Sequence, residues 1–322
     1  MRCVDLVLIG LIGKGAVMTI VVGVGADDTK ADAVALGAVT AQLLDESVTL
    51  VHVHPPTIDY PNVGHVDAEW AAYLREQSDD VLAAATTQLT KLGWSGAVER
   101  RVVSARAVSR GLMKVAEELG SLAIVIGPGL QAHDGHVAMG SIAQSLLHGA
   151  SCAILMAPEG YQASVPHALG RLVVGFQDTE ESRRAVAAAH LIAQAAGVSV
   201  ELLTVVSRAT RIFTPRLGRD PESAVMQALV EREMQAQDQV LAEQGIAGVV
   251  VQGDTVGQAM SAFNWRADDL FVLASSTAGP LQRVLLGDSS HKLVRASSSP
   301  VLVLPRFSKH DRAPSMTESP IA

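Results

Sequence analysis

Short runs of valine, isoleucine and leucine alternate along this chain with longer stretches in which apolar residues return every three or four positions. In the first half the runs at 19–24, 47–53, 97–103, 122–127 and 152–156 predict strands, with helices near 28–44, 67–92, 107–119 and 141–149. The second half gives strands near 171–176, 199–205, 247–252, 269–274 and 300–304, and helices near 179–196, 221–244, 255–267 and 288–297. Strands that are apolar on both faces belong in a parallel sheet covered on both sides. Strand, helix, strand in repetition implies right-handed crossovers and a doubly wound α/β layout.

The chain also repeats itself. Ile20-Val21-Val22-Gly23-Val24 recurs as Leu172-Val173-Val174-Gly175-Phe176, and Ser151 to Pro158 recurs as Ser298 to Pro305. A period this long marks a duplicated domain, since solenoid repeats run roughly 20–50 residues. The pattern divides the chain into a first domain at 18–158, a linker at 159–169, a second domain at 170–305 and a tail at 306–322. Pro158, Gly160 and Pro166 interrupt the periodicity at the linker, and Pro314 and Pro320 mark a loose tail. Residues 1–17 are apolar but too short for a membrane helix of about 20 residues. They end without a small-residue cleavage site, and Met18 stands directly before the first strand as the simpler start. Whether they are native or an upstream extension, they stand apart from the fold.

Composition then narrows the function. The 322 residues are 48% hydrophobic and 18% charged, with a net charge of −8 from 25 basic and 33 acidic residues. Such a chain has no general electrostatic pull toward nucleic acid or anionic lipid. Aromatics, at 3%, leave few surfaces on which bases stack. Two cysteines, Cys3 and Cys152, make no disulfide scaffold and fit a reducing, cytoplasmic compartment.

In a doubly wound fold a ligand sits beyond the carboxyl ends of the strands, where the winding reverses, so the loops after strands one and four matter most. In the first half, strand four runs into Gly127-Pro128-Gly129, and the loop continues to Met139-Gly140-Ser141 before Ile142 opens a short helix. Two accounts fit this loop. Glycine backbone approaches an anion closely and a helix start favours phosphate; equally, the segment is a tight turn followed by a helix that Ser141 caps.

These residues carry a family likeness. The opening Val-Val-Gly strand, the glycine-rich segment ending in Gly-Ser and the closing Pro-Val-Leu-Val strand make each half similar to a universal stress protein domain. Val284-Leu285-Leu286-Gly287, Lys292-Leu293-Val294-Arg295 and Ser299 to Val303 follow the same pattern in the second half. The resemblance implies a five-stranded parallel sheet per domain, Rossmann-like and of the adenine nucleotide alpha hydrolase type. It also implies ATP in the crevice, bound through Gly-x2-Gly-x9-Gly-Ser/Thr with an aspartate ending strand one. Gly127, Gly140 and Ser141 occupy motif positions. The middle glycine position falls on Leu130, with Gly129 one residue early, and the aspartate position is Gly25, followed closely by Asp27 and Asp28. Val53 matches a position that contacts adenine, and Ile142 one whose amide reaches phosphate.

The second half departs further from the motif: Gln177, Ala274 and Thr277 replace the aspartate and the first two glycines, and Asp288 follows Gly287 where serine belongs. A carboxylate there repels a triphosphate by ~4 kcal/mol per charge pair at about 4 Å and an effective dielectric near 20, unless Mg2+ or Arg283 offsets it. The resemblance thus implies ATP, ADP or AMP, with Mg2+, in the first domain only.

The remaining constellations read as ordinary. His52 and His54 on strand two, with His65 beyond, have the spacing of a partial zinc site but no third ligand, and read as lining the crevice. His133, Asp134 and His136 in the glycine loop either meet phosphate or stay solvated. Glu117-Glu118 and Asp268-Asp269 read as solvated helix-end charges, and the arginines from Arg208 to Arg219 as a surface loop. No nucleophile elbow, Walker loop or His-Glu-x-x-His is present. The expected protein is a non-catalytic regulator whose two halves pack as an intramolecular pseudo-dimer through strands 152–156 and 300–304. Its partners are adenine nucleotide, unidentified proteins and, as a further level of assembly, a homodimer. The alternative is a stress-related interaction scaffold that binds no nucleotide.

Overall fold

A computed structural model of the chain describes residues 18–25, 31–56, 66–129, 135–207, 219–275 and 288–305; of 66–68, 219–225 and 288–289 it describes the backbone alone. The first half runs β1 (Thr19–Gly23), α1 (Asp32–Leu44), β2 (Ser47–His54), α2 (Val66–Lys91), β3 (Val98–Ser104), α3 (Val108–Leu119), β4 (Ala123–Ile126), α4 (Ser141–Gly149) and β5 (Ala153–Met156). The second runs β6 (Arg171–Gly175), α5 (Glu180–Ala196), β7 (Ser199–Ser207), α6 (Arg219–Gln244), β8 (Gly248–Gly253), α7 (Val256–Ser261), β9 (Asp269–Ala274), α8 (Asp288–Ala296) and β10 (Val301–Leu304).

All ten strands join one sheet in the order β3-β2-β1-β4-β5-β10-β9-β6-β7-β8. Pairing is parallel within each half, and the halves meet where β5 and β10 run antiparallel, Leu155 opposite Leu302. That junction explains why these two strands are apolar throughout: each is buried on both faces, and neither presents an open edge. The true edge of the first half, β3, carries Glu99, Arg100 and Arg101 instead, charges that discourage pairing with another chain.

Helices cover both faces. Ile20, Val22, Val48 and Leu50 face α1 and α2, whereas Val21, Val51, Ile124 and Ile126 face α3 and α4. Helix α1 lies so close to the sheet that a Cβ on Gly37 would stand 2.5 Å from Val22 Cγ2, so glycine is what permits the approach. Asp32, fully buried in the first turn of α1, accepts the Gly160 and Gln162 amides at 2.9 and 2.8 Å. One carboxylate thereby fixes the segment joining the two halves to the first domain.

Two expectations need correction. Asp269 is not a solvated helix-end charge. It begins β9, is completely buried, and forms a two-pronged ion pair with Arg171 at 2.7 and 2.6 Å. Arg171 also pairs with Glu201 on β7 and lies 5.2 Å from the Phe263 ring centre. The same cluster ends α7 at Ser261 instead of near 267: Arg171 takes the Asn264 carbonyl at 2.9 Å and Asp269 takes the Arg266 amide at 2.7 Å. Those two groups are thereby turned away from a helical ladder.

Candidate functional site

The strand order reverses between β1 and β4, which lie side by side and parallel. The chain leaves β1 through Val24 and the exposed Gly25, and leaves β4 through Gly127, Pro128 and Gly129, all half-buried. Gly129 and Gly140 come together from the two arms of the β4–α4 loop: a Cβ on Gly129 would stand 3.6 Å from Gly140 Cα. Gly140 has ordinary backbone angles (φ −76°, ψ −178°), and a Cβ there would stand 3.8 Å from Gly129 Cα, an ordinary contact, so the fold itself does not demand glycine at 140. Two bare backbones side by side form a shallow cradle that a methyl group would begin to fill.

Gly140 itself occupies the N-cap of α4, and Ser141 is the exposed first helical residue. This corrects the expectation that Ser141 caps the helix. The chain enters α4 one residue earlier than a serine cap requires, and the N-cap makes no side-chain bond. The first intrahelical bond runs from the Gln144 amide to the Gly140 carbonyl at 3.0 Å. The amides of Ser141, Ile142 and Ala143 therefore precede the ladder, with the positive end of the helix dipole behind them. Ile142 is exposed beside them, its side chain free of the core.

The loop's returning arm is held from outside its own domain. Val137, buried, donates its amide to the Ser297 carbonyl at 3.0 Å, just before β10, and the Glu159 amide reaches the His136 carbonyl at 3.3 Å. Both the second domain and the linker thus fix the glycine arm of the first. Sequence reasoning missed this contact, because Val137 carries no signal beyond its hydrophobicity.

Val53 reaches the same end of the sheet on the α3 face, half-buried, its methyls where a Cβ on Gly111 would come within 2.8 Å. His52 lies on the opposite face and does not line the crevice. It is buried and hydrogen-bonded through Nδ1 to the Val24 carbonyl at 2.9 Å, a peg that fixes the end of β1. His54 contacts the Pro55 carbonyl at 2.7 Å. No group of three His, Cys, Asp or Glu side chains is placed to hold a metal among the described residues. Asp27, Asp28, His65, Leu130, His133 and Asp134 lie outside the described residues; His136 is exposed.

At the corresponding place in the second half, Gln177 is exposed and its amide lies 3.3 Å from Ser182 Oγ. Asp178, one residue later, is paired with Arg183 of α5 at 2.9 Å. Ala274 ends β9, half-buried. Thr277, Arg283, Gly287, the Asp288 side chain, Arg208, Arg211 and Arg216 lie outside the described residues, whereas Arg219, expected in the same surface loop, opens α6.

Comparison with known proteins agrees with this architecture. The universal stress protein family matches residues 16–158 and again 169–305. A universal stress protein of Mycobacterium tuberculosis (strain ATCC 25618 / H37Rv) is 29% identical over 295 residues, covering 89% of this chain and the whole of the relative. The crystal structure of a universal stress protein from Archaeoglobus fulgidus DSM 4304 superposes with a TM-score of 0.55 at 15% identity, over 90% of this chain and 98% of that one. A protein of unknown function from Pseudomonas aeruginosa PAO1 gives 0.54 at 15% identity, over 90% and 92%. No helix among the described residues is long and apolar enough to cross a membrane.

Proposed function

The chain belongs to the universal stress protein family, and from that premise we propose that it is a regulatory protein without catalysis, holding an adenine nucleotide at the carboxyl edge of its first half. The observation that carries this reading is the meeting of Gly129 and Gly140 in front of the uncapped α4. Phosphate oxygens fit there against backbone N–H groups, with the helix dipole favouring their charge. The residues assigned to the site are Gly25, Val53, Gly127, Gly129, Gly140, Ser141 and Ile142: the glycines, Ser141 and the Ile142 amide toward phosphate, and Val53 toward the adenine. Gly25 stands where family members place an aspartate, and losing such a contact weakens binding by ~1–3 kcal/mol without abolishing it. ATP, ADP and AMP all suit this cradle, Mg2+ accompanying the triphosphate.

The second half binds no nucleotide in this manner. Gln177 replaces the aspartate, and the acid that follows it is already paired with Arg183. On this reading any hydrolysis is slow and incidental. Denaturing freshly purified protein and chromatographing the supernatant tests the proposal. Adenine nucleotide is expected from the wild type and not from Gly140→Asp. A protein that releases none, and takes up none when ATP is added, leaves the scaffold alternative standing. The exposed Gly25 favours that second reading.

A further inference from the structure

A recess lies at the opposite end of the sheet from the glycines. It encloses about 710 Å3 between α1, the turns that lead into β2 and β3, and the linker near Val165 to His167. That volume falls within the roughly 300–1,000 Å3 of small-molecule sites. Ser47 and Ala97, at the amino ends of β2 and β3, belong to it, whereas the glycine cradle follows the carboxyl ends. The two places are separated by the length of the strands, ~20 Å at about 3.3 Å per residue.

Its walls have a definite chemistry. Beneath it lie Ala35 and Ala38 of α1, both buried in the core. Trp94 forms an aromatic wall, its ring lying over Gly96 so closely that a Cβ there would come within 2.4 Å of Cζ2. Glycine at 96 is therefore what lets the indole lie down, and the indole N–H has no acceptor among the described residues. Asp45 closes α1 in a left-handed turn (φ 55°) that brings Asp45 and Glu46 to the mouth of the recess side by side. Lysine and arginine are absent from the lining, and His167 is its one histidine.

From this geometry we infer that the recess is a second ligand site, specific for a small organic cation: an aromatic or alkyl amine whose body rests against Trp94 and Ala38 and whose ammonium meets Asp45 and Glu46. An aromatic face attracts an ammonium group in addition to the carboxylates. Burial, chiefly, pushes the Glu46 carboxyl up, against a backbone hydrogen bond from Met18 that lowers it, with the neighbouring Asp45 charge adding to the rise, and a bound cation offsets that charge. This site is independent of the nucleotide reading.

The test uses full-length protein labelled with 15N in its tryptophan indoles, which gives resonances for Trp70, Trp94 and Trp265, the Trp94 signal being identified by its loss in Trp94→Phe. Benzylamine is titrated, with benzoate and benzyl alcohol as controls. Saturable movement of the Trp94 resonance by benzylamine is expected, with benzoate inert and benzyl alcohol at least tenfold weaker. Asp45→Asn combined with Glu46→Gln should weaken benzylamine on the order of tenfold, while Gly140→Asp leaves it unchanged. A flat titration, equal response to benzoate, or undiminished affinity in the double variant overturns the assignment. Circular dichroism of each variant separates loss of binding from loss of fold.

Discussion

The two halves share one layout and stabilise its amino edge by different chemistry. In the first, hydroxyls meet there: Thr19 Oγ1 lies 2.9 Å from Thr49 Oγ1, and Ser121 donates to the Thr19 carbonyl at 2.8 Å. In the second, Arg171 opens the strand that Thr19 opens in its twin, and Glu201 stands opposite Val173 as Thr49 stands opposite Val21. Hydroxyl pairs are neutral and each is worth about 1 kcal/mol net. A buried ion pair contributes little beyond an apolar equivalent, yet removing one partner strands the other charge. One ancestral strand pattern therefore tolerates either solution, but the second half has far more to lose from a single change.

The largest effect that would break this comparison follows directly. Asp269→Ala should destabilise the protein by ~3 kcal/mol in urea unfolding, because buried Arg171 loses its two-pronged partner and keeps only Glu201, whereas Thr49→Val should cost about 1 kcal/mol. Equal costs would mean that the two edges are not energetically distinct.

At the other end of the sheet, on the proposed reading, the halves differ in what they hold. Gly140→Asp should abolish measurable ATP binding, through repulsion at the helix start, and Gly140→Ala should weaken it by about tenfold. Thermal melting should change little for the alanine variant, whose Cβ would stand 3.8 Å from Gly129 Cα, an ordinary contact. A matching drop in melting temperature would show that the glycine serves the fold instead.

The joint between the halves is the third target. Asp32→Ala leaves the Gly160 and Gln162 amides without their carboxylate and should cost ~1–3 kcal/mol. Protease cleavage between 159 and 169 should accelerate with it, and an unchanged rate would remove Asp32 from the linker's account. The smallest effect concerns Glu46, whose raised pKa means that the folded state holds a proton the unfolded chain has released. Its stabilising contribution is present below the ordinary value of 4.5 and is lost as pH rises through the raised value. Glu46→Gln should therefore raise the melting temperature slightly at pH 7 and lose that advantage near pH 4, as scanning calorimetry would record.

Much of this was legible in the residues. Strands buried on both faces leave unbroken Val, Ile and Leu runs, and the repeat of those runs exposed the duplication and the meeting of β5 with β10. What stayed hidden depends on distance along the chain. Asp269 looked like a surface acid because its partner Arg171 lies 98 residues away, and the shortening of α7 follows from the same pair. Ser141 looked like a cap because serine prefers that position, but the cap belongs to whichever residue is extended where the chain turns, here Gly140. His52 was placed in the crevice by alternation along β2, whereas the free carbonyl of Val24 drew it inward.

The central proposal is a nucleotide in the first half and none in the second, and it reduces to a number. Isothermal calorimetry of nucleotide-stripped protein with ATP and Mg2+ should give one site per chain, abolished by Gly140→Asp. Two sites per chain, or one that survives that substitution, would contradict it.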